Sequence, residues 1–292
     1  MFAYSYPLYR PPSEADNLIL QVTEGCSFNG CTFCSMYKEK PFKAKPIEQI
    51  MAEIKLAASY EPEARRFFLA DGDAMTLASP HLSTILSAIN QNFAEVNRIA
   101  AYANPINLIK KPIAELKALR EQKLSLLYIG IESGSADILR RIRKGTTRPR
   151  MIEAIEKAKE AGFKVSATVI FGLGGENLWQ EHINETASLV NLAPPNYLST
   201  LQLELAPENI TRFLDKFGPE FAPQDDLGML KEQTQLINLL NPSSPIIFRS
   251  NHASNSLALA GNLPKDKEKL LAILENAKAG FLPLRPLWAR ML

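Results

Sequence analysis

The chain has 292 residues, 46% of them apolar, with 33 basic and 31 acidic side chains and a formal net charge of +2. That length and apolar content allow a substantial core and argue against disorder, while the near balance of charge gives no global field for nucleic acid or an anionic membrane. No run approaches the ~20 apolar residues of a membrane span, and the start MFAYSYPLYRPPSEAD lacks the basic-then-apolar layout of a signal peptide, so the expected location is the cytoplasm.

Along the chain, short β-rich runs alternate with amphipathic stretches of helical period. Strands are predicted near Leu18–Val22, Arg66–Ala70, Arg98–Tyr102, Leu124–Ile129, Lys164–Phe171 and Tyr197–Leu203. The first helix begins at Pro46 and sets Ile47, Ile50, Met51, Ile54, Ala57 and Ala58 at helical spacing. The second opens with Ser79 as a cap and Pro80 in its first turn, and carries Leu82, Ile85, Leu86 and Ile89 on one face. Further helices are predicted near Pro112–Gln122 and Arg150–Ala161, the latter closed by Gly162 in the left-handed region. After Phe248 the pattern weakens into a polar run, Arg249 to Asn255, before a final helix around Lys265–Ala277.

Strands that alternate with crossover helices favour parallel pairing. Six such units predict an α/β fold, a partial (β/α)6 or a complete barrel, with the loops that follow the strands gathered at one end. The whole chain, 1–292, reads as a single domain, with a β/α core over about 16–210 and a C-terminal extension over about 211–292 that is expected to cover an open barrel face.

The three cysteines, Cys26, Cys31 and Cys34, all fall in the loop after the first predicted strand. An odd number of thiols in one loop argues against a disulfide framework. Three thiolates so spaced can hold three corners of a cubane iron–sulfur cluster and leave the fourth iron open to a ligand. A structural zinc site completed by a histidine such as His252 is the competing metal reading, although the paired ligand spacing of zinc modules is absent.

With this loop after strand one and six β/α units behind it, the chain resembles the radical S-adenosylmethionine (radical SAM) superfamily, over residues 16 to about 210. The cysteine motif is a Cx4CxxC variant, since Ser27, Phe28, Asn29 and Gly30 stand where the commonest family pattern has three residues. The resemblance implies that Cys26, Cys31 and Cys34 ligate a 4Fe–4S cluster whose open iron is chelated by SAM. It implies reductive cleavage of SAM to a 5′-deoxyadenosyl radical, which abstracts hydrogen from a substrate that the sequence does not identify. An electron donor such as flavodoxin or ferredoxin would supply the cluster. By the same resemblance Phe33 packs on adenine, Gly72 and Asp73 of Leu69-Ala-Asp-Gly-Asp-Ala74 receive the SAM ammonium, Glu132 holds the ribose, Lys144 meets the carboxylate, and Ile170 borders the adenine.

Ser166, Thr168 and Glu204 lie on predicted strands, where they would line a substrate pocket or serve as hydrogen-bonded core polars. Asn251 and His252, in the polar run past Phe248, are candidates for substrate contact or loop hydrogen bonding. His81 and His182 fall on helices and read as surface or packing residues. The basic cluster from Arg140 to Arg150 reads as a solvated helix face, and the absence of interleaved aromatics disfavours nucleic acid as a partner. No cysteines remain for auxiliary clusters, and the segment before the first strand is too short for a cobalamin domain of ordinary size. The alternative function is a cofactor-binding or carrier protein, handling haem or a cluster on the same fold without substrate turnover.

Overall fold

In the computed structural model, which describes residues 4–290, the predicted alternation becomes ten strands and ten α-helices. In chain order these are β1 (Leu18–Gln21), β2 (Thr23–Glu24), β3 (Lys43–Ala44), α1 (Ile47–Tyr60), β4 (Arg66–Ala70), α2 (Ser79–Asn92), β5 (Arg98–Tyr102), α3 (Pro105–Lys110), α4 (Ile113–Glu121) and β6 (Leu124–Glu132). They continue with α5 (Ala136–Arg141), α6 (Arg148–Glu160), β7 (Lys164–Phe171), α7 (Gly175–Leu192), β8 (Tyr197–Gln202), α8 (Pro207–Phe217), α9 (Asp226–Leu239), β9 (Ile246–Ser250), β10 (Leu259–Leu263) and α10 (Lys267–Lys278). The fold is mixed α/β, and its large sheet runs in the order β1-β4-β5-β6-β7-β8-β9-β10. No pairing joins β1 to β10 among the described residues, so the series is open. No helix among those residues is long and apolar enough to cross a membrane.

Contacts divide the chain into two compact units. Among the described residues, the first comprises 4–29, 36–129 and 156–165. Its strands β1, β4, β5 and β6 pair in parallel, with Leu18 opposite Phe67 and Phe67 opposite Ile99. Strands buried on both faces need near-continuous apolar runs, and Phe67, Phe68 and Leu69 are accordingly buried completely. Each such side chain contributes ~1.5–3 kcal/mol of transfer free energy. Phe67 meets Phe93 edge-on with ring centroids 4.7 Å apart, which seats β4 against the end of α2. Antiparallel β2 and β3, with Thr23 opposite Ala44, close the base of the cysteine-bearing loop. Just beyond, Lys45 Nζ lies 2.6 Å from Glu53 Oε1, a buried pair that fixes the entry into α1.

The second unit comprises, among the described residues, 30–35, 130–155 and 166–290. Here β7, β8 and β9 pair in parallel and β10 runs antiparallel along β9. Burial alternates along β7: Val165, Ala167, Val169 and Phe171 are fully buried, whereas Thr168 and Ile170 are half-buried. Helix α9 packs against both α7 and α10.

Several local expectations change. Ser79 is the first residue inside α2 and no cap; its hydroxyl is buried without a partner. Ser135, by contrast, does cap α5, its hydroxyl accepting from Ile138 N at 3.1 Å. Gly162 has φ +89°, as its place after α6 requires. Strand β8 stops at Gln202, so Glu204 lies beyond it and is exposed rather than strand-borne. The polar run after Phe248 leads into a further strand, β10, which only its two terminal leucines bury.

Candidate functional site

In the first unit the site is built on the turn after β4, where Asp71, Gly72 and Asp73 follow the last buried strand residue. Asp71 is fully buried and accepts from Lys40 Nζ at 2.6 Å, Gln21 Nε2 at 3.0 Å, Tyr37 Oη at 3.1 Å and Gly25 N at 3.2 Å. Three of those donors belong to the cysteine loop, so one carboxylate clamps both flanks of Cys26. Burial, followed by the Asp71 charge, pushes the Tyr37 phenol well up, which keeps its proton on the oxygen that donates to Asp71. Gly72 packs directly on the loop: a Cβ there would lie 2.7 Å from the Tyr37 ring and 3.0 Å from Cys26 Cβ. Glycine is needed for that approach.

Asp73 is also buried. Its Oδ2 accepts from Ser27 Oγ and Asn107 Nδ2, both at 2.5 Å, and its Oδ1 from Asn104 N at 3.1 Å. Burial raises its pKa, opposed by these hydrogen bonds and by Lys111. Lys111 itself is drawn down by burial, while its Nζ donates to Leu77 O at 2.5 Å. Beside this carboxylate, Asn104 Oδ1 is buried and accepts from nothing. A buried acceptor without a donor is costly in a finished core and suits a site for a cationic donor such as an ammonium.

In the second unit β6 ends at Glu132, whose φ of +63° turns its carboxylate back over the strand. Glu132 Oε1 lies 2.7 Å from Lys144 Nζ, with 9% and 13% of the two side chains exposed, so the pair is largely out of water. It covers Gly130, where a Cβ would collide with Glu132 Oε1 and lie 2.8 Å from Lys144 Nζ. Lys144 N donates to Leu139 O, fixing the turn after α5. Thr32 N donates to Ile142 O at 2.9 Å, which brings the segment with Cys31, Phe33 and Cys34 to that turn, and Arg212 Nη2 of α8 donates to Gly30 O at 2.8 Å.

Cys26, Cys31, Cys34 and Phe33 are all half-buried, and the cysteines are thiols outside any disulfide. No group of three or more His, Cys, Asp or Glu side chains among the described residues is gathered as metal ligands. Fit to an iron–sulfur cluster therefore rests on the donor chemistry, three accessible thiols on a loop clamped at its base, and on that criterion the residues fit. Thr32 Oγ1, between two of the thiols in sequence, is buried and unpartnered.

A third cluster escaped sequence reasoning. His182, expected from its helix to be a surface or packing residue, is a packing one, fully buried on α7. Its Nε2 lies 2.9 Å from Ile170 O, to which it must donate, so Nδ1 accepts from Ser133 Oγ at 2.8 Å. Burial brings its pKa down to about 4, and it is neutral near pH 7. Glu232 on α9, 4.0 Å from His182 Nε2, accepts from Gly172 N at 2.7 Å, and burial pushes its carboxyl up to about 8. These two residues tie the loops after β6 and β7 to the helices behind them. The available signal was the spacing of His182 with Thr186 and Leu189 on the apolar face of α7.

Among the remaining candidates, Ser166, Thr168 and Ile170 share one face of β7, while Glu204 is exposed past the end of β8. Asn251 is exposed. His252 is half-buried, its Nδ1 accepting from Ser254 N at 3.2 Å, and burial followed by the Arg285 charge lowers its pKa. It is thus engaged in loop hydrogen bonding, whereas the residue buried against β8 is Asn255, which accepts from Gln202 N at 2.9 Å and donates to Thr200 O at 2.8 Å.

Comparison with known proteins gives four matches. The family model of the Radical SAM superfamily matches residues 20–190. A Methanocaldococcus jannaschii protein bearing a methylthiotransferase name is 26% identical over 162 residues, 53% of this chain and 35% of that protein. The haem chaperone HemW of Bacillus subtilis is 22% identical over 190 residues, covering 62% of this chain and 48% of that protein. The chain thus spans about a third to a half of the length of these relatives. Among solved structures, coproporphyrinogen III oxidase (HemN) from Escherichia coli superimposes with a TM-score of 0.57 at 16% identity, over 76% of this chain and 52% of that one. At that identity the likeness speaks to the fold alone.

Proposed function

The chain belongs to the radical SAM superfamily, whose enzymes bind a 4Fe–4S cluster and SAM, and from that premise we propose that it cleaves SAM reductively to abstract hydrogen from a substrate. The observation that carries the reading is the thiol loop whose base is clamped by Asp71 and against whose Cys26 the Gly72 backbone is packed. When bound, the cluster supplies one electron to the sulfonium of SAM, and the carbon–sulfur bond that breaks releases a 5′-deoxyadenosyl radical.

The chain's own residues bind and orient. Cys26, Cys31 and Cys34 hold the cluster. Asp73, already desolvated, takes the SAM ammonium in place of its present donors, and Asn104 Oδ1 accepts a second of its hydrogens. Lys144 meets the SAM carboxylate and Glu132 the ribose hydroxyls, the two side chains lying 2.7 Å apart. Phe33 and Ile170 present apolar surface to the adenine. His182 and Glu232 fix the Ile170 and Gly172 backbone from behind. Flavodoxin or ferredoxin is the proposed reductant, and the cytoplasm the compartment that keeps the thiols reduced.

Iron and acid-labile sulfide analysis after anaerobic reconstitution tests the ligand set. The electron paramagnetic resonance signal of the reduced cluster should change when SAM is added; a zinc-loaded, sulfide-free protein would end this reading. The similarity to a haem chaperone favours one second reading, a haem carrier on the same fold. Haem that stays bound through gel filtration, with SAM left intact under reduction, would select it.

A further inference from the structure

The β7–β8–β9 ladder of the second unit carries a row of donors to which the cofactor roles proposed above assign nothing. Register pairs Thr168 with Ser199 and Ser199 with Arg249. The three side chains therefore stand in one line on one face of the sheet, with neighbouring strands ~4.8 Å apart. Ser166 and Tyr197 form the next row on the same face, and Ile170 lies two residues along β7 from Thr168. The opposite face is the core, where Ala167, Val169, Leu198 and Phe248 are completely buried. On the open face Thr168 and Ser199 are half-buried and Arg249 is exposed.

Among the described residues no hydrogen bond occupies the hydroxyls of Ser166, Thr168 or Ser199. Arg249 spends Nη1 on two carbonyls, Phe248 O at 2.8 Å and Gly261 O at 3.4 Å, and it is in no ion pair with a carboxylate there. Its Nε and Nη2 stay uncommitted. A guanidinium with no counter-charge, in line with two unpartnered hydroxyls, matches the two oxygens of a monoanion. A phosphate dianion would ask for more cations or for a cradle of backbone N–H groups, and strand N–H groups are spent on the ladder.

We propose that Thr168, Ser199 and Arg249 bind a carboxylate of the substrate, which makes the substrate class a carboxylic acid. This deepens the function proposed above and rests on it for the word substrate, but the binding itself requires no SAM cleavage. The test uses the cluster-loaded, oxidised protein with isotope-labelled arginine, the Arg249 side-chain signal being the one missing from Arg249→Gln. Succinate should move that signal saturably and succinamide should not. In equilibrium dialysis Arg249→Gln should bind radiolabelled succinate about tenfold more weakly or worse, Arg249→Lys should retain part of the affinity, and Ser199→Ala and Thr168→Val should each lose about threefold to tenfold. No saturable shift, equal binding by wild type and Arg249→Gln, or tighter binding of inorganic phosphate than of succinate would overturn the proposal. A protein that binds succinate through Arg249 yet leaves SAM intact would sink the proposed enzyme and leave this site standing. SAM cleavage without succinate binding would do the reverse.

Discussion

Replacing Glu232 with glutamine should stabilise the protein increasingly as pH rises from 6.5 to 8. The folded carboxyl titrates at about 8 against an ordinary 4.5, because burial outweighs the bonds from Gly172 N and Gln224. A raised folded pKa contributes stability below the unfolded value and loses it as pH rises through the folded value. His182 acts with the opposite sign: lowered from 6.5 to about 4, it contributes stability above the unfolded value and loses it as pH falls. The two nearly cancel between pH 4.5 and 6.5. Above pH 6.5 only Glu232 is left, and stability should fall by ~1.4 kcal/mol per unit, about 2 kcal/mol in all by pH 8. Glutamine still offers an oxygen to Gly172 N but has no proton to lose. The gap between Glu232→Gln and wild type should therefore widen by about 2 kcal/mol from pH 6.5 to pH 8, or roughly 4 °C in Tm. Thermal melts of both proteins across this range give the answer. Parallel curves would refute the claim that a protonated, buried carboxyl holds the loop after β7.

Three further outcomes concern ligand binding. Gly72→Ala should fold but load less iron on reconstitution, since its Cβ would push on Tyr37 and Cys26 from 2.7 and 3.0 Å. Asp73→Asn should keep its cluster, as judged by iron and sulfide content, and bind SAM about tenfold more weakly in calorimetry, because the charge proposed to meet the ammonium is gone. Lys144→Met removes the donor 2.7 Å from Glu132 and should cost about 1.5–3 kcal/mol in thermal stability together with SAM affinity.

The strands of the first unit were legible because parallel strands covered on both faces must be written as continuous apolar runs, and Arg66–Ala70 and Arg98–Tyr102 begin and end where the sequence puts them. The end of α6 at the left-handed Gly162 was equally readable, whereas the cap expected at Ser79 was not borne out. What stayed hidden depends on partners distant in sequence. Strand β10 is an edge strand with polar and glycine residues between two buried leucines, so it has no local signature. His182 looks like any helical histidine until Ser133 and the Ile170 carbonyl are seen around it. The line of Thr168, Ser199 and Arg249 exists only once three strands are in register. Glu204 and His252 were polar residues in suggestive places, but strand termination exposed the first and Ser254 engages the second.

The central claim, that these thiols support reductive SAM cleavage, is tested most directly by incubating the reconstituted, reduced protein with SAM and quantifying 5′-deoxyadenosine and methionine. The account predicts both products from the wild type and neither from Cys26→Ala, Cys31→Ala or Cys34→Ala. A wild type that carries its full iron and sulfide, binds SAM and forms no 5′-deoxyadenosine would contradict it.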